Sequence, residues 1–223
     1  MAVSDQTHST GAQTVSPTLA QQRQMLETMA QMQDSHNREV HPQWREQGFD
    51  YYRAIWVECA ELLDHYGWKW WKHTVPDLDQ SRLELVDIWH FGLSDLMLQG
   101  PLDEQLLQAF TAPKVMEFRA AVEQLASATL SAKRFDLQAF ATALASLPMS
   151  YTELFEMYVG KNVLNSFRQA HGYKTGEYRK LWAGREDNEH LVEALAGLPA
   201  RSPDLPEQLY AELNRRYQDS ADL

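Results

Sequence analysis

From Pro17 onward, apolar residues recur at steps of three and four, the spacing that gathers them on one side of a helix. Nowhere does a Val/Ile/Thr alternation bounded by turn residues run long enough to predict a sheet. Glycine and proline are scarce, 10 and 9 of 223 residues, while Ala, Leu, Gln, Glu and Met are frequent. The expected fold class is all-α, a helical bundle core with peripheral helices and no internal repeat. Leu19, Met25, Leu26, Met29 and Met32 line one side of a first helix. A second is expected from about Phe49 to Trp71, broken at Val75-Pro76-Asp77 because proline cannot continue a helix interior. Ser81, with Glu84 at the capping-box position, predicts the start of a third helix that ends at Gly100-Pro101. Further helical patterns fall at about 103–112, 114–128, 135–147, 150–171, 186–197 and 205–218. Residues 1–20 are small, polar and aperiodic and read as a disordered tail, which leaves 21–223 as one domain.

Lys plus Arg number 20 and Asp plus Glu 31, a net charge of −11 that argues against a general nucleic-acid or anionic-membrane binder. A hydrophobic share of 44% suffices for a core. The one cysteine, Cys59, excludes a disulfide framework and any zinc site built on several thiolates. No apolar run approaches the ~18 residues of a membrane span, and the first twenty residues lack a secretory pattern. The expected setting is the cytoplasm.

The expected second helix carries Glu58-x-x-Glu61 and the third Glu84-x-x-Asp87. Residues three apart share a helix face, so two antiparallel helices can aim four carboxylates into one space. Four such anions repel unless cations hold them, and hard oxygen donors favour Mg²⁺ or Mn²⁺ over zinc. The pattern leaves two readings open, solvated surface charge and metal site. Against the first, Glu58 sits among Ile55, Trp56, Cys59 and Leu62, and Asp87 among Val86, Ile88, Trp89 and His90. Asp87-x-x-His90 also resembles the element that di-iron bundles use twice, but only one copy is present, since Glu61 and His65 are four apart. His90 reads as a core histidine or one supporting a ligand.

Between Lys161 and Arg185, six basic residues (Lys161, Arg168, Lys174, Arg179, Lys180, Arg185) stand against one acid, Glu177. With Asn162, Asn165, Tyr173 and Tyr178 they suit a polyphosphate, and Gly172 and Gly176 permit tight turns. Solvated helix charge is the alternative. Acidic and basic segments together suggest a magnesium nucleotide as ligand.

Three stretches, Glu58-Cys-Ala-Glu-Leu-Leu-Asp, Trp68-Lys-Trp-Trp-Lys and Glu84-Leu-Val-Asp-Ile-Trp-His-Phe, resemble the dimeric all-α dUTPases, relatives of the MazG-type nucleoside triphosphate pyrophosphatases. Gly160-Lys-Asn-Val-Leu-Asn-Ser-Phe-Arg-Gln, His171-Gly-Tyr-Lys-Thr-Gly and Gly184-Arg-Glu-Asp-Asn are similar to the same family's later motifs. The resemblance runs from about Met25 to Asn188 and is weakest between Gly100 and Pro148. It implies hydrolysis of dUTP, and of dUDP, to dUMP, which limits uracil in DNA and supplies dUMP for dTMP synthesis. It implies two or more Mg²⁺ ions (or Mn²⁺) on Glu58, Glu61, Glu84 and Asp87, attack on the β-phosphorus, and Glu61, or next Glu58, as the base acting on water. Lys161, Arg168, Lys174 and Arg179 become phosphate clamps, and Tyr173 a donor or packing partner. Gln33 and Asn37, four apart on the first helix, fall where the family holds uracil, although His36 stands where relatives often have an apolar residue. Trp68 or Trp71 would wall the base pocket, Asn188 would complete the polar contacts, and Asn165 stays open between ligand contact and helix geometry. The partners implied are dUTP or dUDP and a second copy of the chain, with no stable nucleic acid and no membrane.

A dCTPase or broader deoxynucleotide pyrophosphatase is the near alternative, because uracil and cytosine differ by a donor–acceptor reversal. A nucleic-acid-binding module using the 161–185 segment and a di-iron oxidase are the distant ones.

Overall fold

The computed structural model describes residues 17–198 and 204–220. Most of the expected tail, residues 1–16, and residues 199–203 and 221–223 lie outside the described residues.

The first helix, α1 (Leu19–Val40), starts inside the last two residues of the expected tail, where Thr18 and Gln21 form a capping box. Its buried face is Leu26, Met29, Gln33 and Asn37. The stripe is apolar for its first half and amide-bearing for its second, so the helix runs out of the core and into a polar space. α2 (Tyr51–Tyr66) buries Ile55, Cys59 and Leu62. At ~100° per residue, Glu58 sits about 60° from the centre of that stripe and Glu61 about 120°. This offset explains why Glu58 is half-buried and Glu61 exposed.

α2 stops five residues short of the expected Trp71. Gly67 takes φ 89° and caps the helix, and the Trp68-Lys-Trp-Trp-Lys run forms a turn instead. The chain then returns so that Asp77 N–H donates to His65 O at 3.0 Å. Asp77, not Ser81, caps α3 (Leu78–Gln99) through Gln80 N–H. Ser81 lies inside the helix, its hydroxyl donating to Asp77 O. α3 is buried on nearly every side and packs on α1 and α2, and on two later helices described below, which makes it the central rod of the bundle.

The expected helix at 103–112 is a 3₁₀ turn, Glu104–Phe110. α4 (Phe118–Ala132), α5 (Leu137–Ser146) and α6 (Tyr151–Ala170) follow, the last with a Ser150/Glu153 capping box. A two-residue ladder pairs β1 (Leu181–Trp182) with β2 (Arg185–Glu186) across Ala183-Gly184, both at positive φ. Then come α7 (Asp187–Gly197) and α8 (Leu205–Asp219). The main core is shared by α1 to α6 around Trp89 and Phe140, whose rings stack at 5.3 Å. A second core joins Leu83 of α3 and Val163, Leu164 and Phe167 of α6 to Trp182, Leu191, Leu209 and Leu213. α6 belongs to both, and its junction residues face the cavity described next. No described helix is long and apolar enough to cross a membrane.

Candidate active site

A cavity of about 490 Å³ opens where α1, α2, α3 and α6 meet. α1 lends Gln33, His36, Asn37 and Val40, and the segment before α2 lends Trp44, Phe49 and Asp50. Tyr51, Ala54 and Glu58 come from α2, and Asp87, His90 and Phe91 from α3. Lys161, Asn165 and Arg168 project from α6, and Tyr173 from the turn beyond it.

Glu58 and Asp87 on one wall, and buried Glu84 next to them, bring carboxylate oxygens within 4.8 Å of one another. Burial first, then the charges of Asp87 and Glu84, push the Glu58 carboxyl from an ordinary 4.5 up to about 9. Glu84 is raised by the same two causes, burial and Asp87. Lys161, buried, sets its ammonium 2.7 Å from Asp87 Oδ2 and donates to Asn188 Oδ1 at 3.0 Å. Without a metal the cluster relieves its charge by keeping a proton on Glu58, by the Lys161–Asp87 pair and by His65, 3.5 Å from Glu84, and an all-oxygen set of this kind suits a hard divalent cation. The residues therefore fit the magnesium that the family resemblance implies. Glu61 lies outside the cluster but close enough for its charge to act on Glu58.

Arg168 is held by a fork-to-fork pair with Asp187, Nε to Oδ2 and Nη2 to Oδ1, both 2.8 Å. Burial opposes ionisation of Asp187, but hydrogen bonds from Arg168 and Tyr178 hold its carboxyl below the ordinary value. Arg168 Nη1 donates to Asn165 Oδ1 at 3.2 Å, and its guanidinium lies 5.9 Å from the Tyr173 ring. At the α1 end, Gln33 and Asn37 are buried and hydrogen-bonded to each other. Burial, helped by His36 and Lys161, keeps His90 far below the ordinary histidine range and hence neutral.

The structure thus gathers Gln33, Asn37, Glu58, Asp87, Lys161, Asn165, Arg168 and Tyr173 of the expected residues around one space, with buried Glu84 joined to Glu58 and Asp87 in the carboxylate cluster and Asn188 accepting from Lys161. Lys174 is exposed, its Nζ donating to Glu39 O at 3.1 Å, near enough to act on His36. Arg179 is not brought there. It grips the end of α8 through Tyr217 O and Ser220 and lies 4.3 Å over the Tyr217 ring. Trp68 and Trp71 are exposed, packed edge-to-face on each other at 5.2 Å and away from the cavity of this chain.

Asp187 stands in the Gly184-Arg-Glu-Asp-Asn stretch, two positions beyond the basic segment, and has no role among the residues expected from sequence. An acid so close to a run of arginines was the available signal. Its presence also changes the meaning of that segment. Lys161, Arg168, Lys180 and Arg185 each pair with an acid of this chain, so much of the segment's charge is balanced internally, and of these four only Lys161 and Arg168 reach the cavity.

No curated protein matches the chain. A family model described as dUTPase matches residues 25–173, which takes in both carboxylate pairs, the α1 amides and the cavity residues of α6. An all-α bundle with this cavity, matched over that span, belongs to the dUTPase family, the dUTP diphosphatases.

Proposed function

We propose that the cavity hydrolyses dUTP to dUMP and pyrophosphate with magnesium, and dUDP to dUMP and phosphate. The observation that carries this reading is the meeting, around one 490 Å³ space, of two carboxylates clustered with a buried third, two cationic side chains of α6 and a pair of buried amides. Bound magnesium, two or more ions in the family's manner, would polarise the phosphates and acidify an attacking water. Glu58, Glu84 and Asp87 would hold it, with Glu61 from the adjacent turn of α2. Glu61, or next Glu58, takes the proton of the attacking water. Lys161 and Arg168 bind the phosphate oxygens and neutralise the pyrophosphate as it departs, with Lys174 and Tyr173 at the edge. The buried amides of Gln33 and Asn37 orient the pyrimidine, and Phe91 and Phe49 offer it apolar walls.

The protein is further proposed to act as a cytoplasmic homodimer. Trp68, Trp70 and Trp71, exposed by 45, 89 and 57% and packed edge-to-face through Trp71, form an apolar surface that a second copy would cover.

A product assay with Mg²⁺ and separate dUTP, dCTP, dTTP and dATP tests the reading. Release of dUMP and pyrophosphate from dUTP alone is the expected result. Equal turnover of dCTP would keep the metal site and replace the substrate, and no turnover of any nucleotide by folded protein would overturn the activity.

A further inference from the structure

Gln33 and Asn37 are links in a longer chain of hydrogen bonds. The Ser94 hydroxyl donates to His90 O at 3.0 Å, and a backbone carbonyl can only accept. Its oxygen is left to accept from Asn37 Nδ2 at 2.9 Å. Asn37 Oδ1 is thereby turned to Gln33, whose Nε2 donates to it at 3.0 Å. Gln33 Oε1 then takes His90 Nδ1 at 2.7 Å and a share of the Tyr158 hydroxyl at 2.8 Å, whose one hydrogen also faces Met29 O at 3.0 Å.

Hydroxyls, amides and a neutral imidazole can each reverse, so such a chain has two possible senses. In the opposite sense His90 would carry its proton on Nε2, an atom that is buried without a partner. A buried N–H with no acceptor is rarer and costlier than an unused lone pair. The sense that starts at Ser94 is therefore the stable one.

In that sense Gln33 Nε2 and Asn37 Nδ2 each keep one hydrogen, and Asn37 Oδ1 between them keeps a lone pair. Along the pair the order is donor, acceptor, donor. The uracil edge offers acceptor, donor, acceptor at O4, N3–H and O2, its complement. Cytosine presents an amino group to a donor and a bare N3 to an acceptor, a mismatch at two of three positions.

We propose that Ser94 and Tyr158, neither of which lines the cavity, are positioning residues that fix the direction of the Gln33–Asn37 pair and thereby select uracil over cytosine. The proposal rests on the dUTP reading above. Thymine shares the uracil edge, so the relay does not discriminate against dTTP, which has to be excluded by shape around C5.

The test compares kcat and KM for dUTP and dCTP in the wild type, Ser94→Ala and Tyr158→Phe, alongside dUMP and dCMP binding and thermal melts. The dUTP:dCTP ratio of kcat/KM is expected to fall by at least about tenfold in each variant. The change should enter through KM, with kcat for dUTP near wild type. The dUMP preference in binding should narrow in parallel. An unchanged ratio in either variant that folds, however much its melting temperature falls, overturns the proposal. A wild type without preference for uracil instead overturns the base reading beneath it.

Discussion

At the scale of single residues, the cavity is a place where ionisation is fixed by burial. Glu58 has a folded pKa of about 9 against an ordinary 4.5. Between those values the unfolded chain ionises there while the folded chain keeps its proton, so the unfolded state binds fewer protons and stability falls as pH rises. Melts in chelator should show that decline between about pH 4.5 and 9, and Glu58→Gln should flatten it while abolishing stabilisation by Mg²⁺. A decline of the same size in Glu58→Gln would assign it to other groups. Arg168 has two roles, facing the cavity and pairing with Asp187, so Arg168→Ala is expected to lower stability as well as to weaken substrate binding. Its loss strands Asp187, which is fully buried. Asp187→Ala, which leaves Arg168 unpaired, should cost roughly 3–5 kcal/mol in denaturant unfolding. Arg168→Lys should raise KM despite keeping the charge, because an ammonium cannot reproduce the fork.

At the scale of elements, the stripes of α1, α2 and α3 were legible because helical spacing alone decides which residues share a face. The half-burial of Glu58 and exposure of Glu61 follow from the same arithmetic. The end of α2 was misread although Gly67 stood in the sequence, because the tryptophans beyond it continue the apolar pattern past the stop. Both Asp77 and Ser81 carry a Gln or Glu three residues on, so the cap of α3 was ambiguous by one turn. The partners of the α1 amides were not legible at all: Ser94 and Tyr158 lie 57 and 125 residues from Asn37 and Gln33, and no local pattern announces such contacts. Close packing makes a separate prediction. A Cβ on Gly92 of α3 would meet the Phe135 ring at 2.7 Å, whereas one on Gly160 of α6 would meet the flexible end of Leu195. Gly92→Ala should therefore destabilise by about 1–3 kcal/mol despite alanine's better helix propensity. Gly160→Ala should cost less, as paired melts would show.

At the scale of the whole molecule, the α7–α8 unit lies beyond the family match at residue 173, yet it holds the cavity's cations in place. Asp187 and Asn188 open α7, and α8 covers that end of the second core with Leu209 and Leu213. A chain ending at residue 198 should lose more than thermal stability, because Phe167 and Trp182 are uncovered and Arg179 loses the helix end that it grips. With Asp187 loosened, KM for dUTP should rise. A truncated protein with wild-type KM would confine α8 to a purely structural role.

The seven tryptophans divide sharply. Trp44, Trp89 and Trp182 are sealed, while Trp56, Trp68, Trp70 and Trp71 stand in water, three of them in the turn that follows Gly67. The fold has thereby built its own optical reporter. The exposed indoles emit at longer wavelength and meet acrylamide freely, and the sealed ones do neither. Anything that settles over that turn, a second copy included, would register as a blue shift and a loss of collisional quenching, with no label attached.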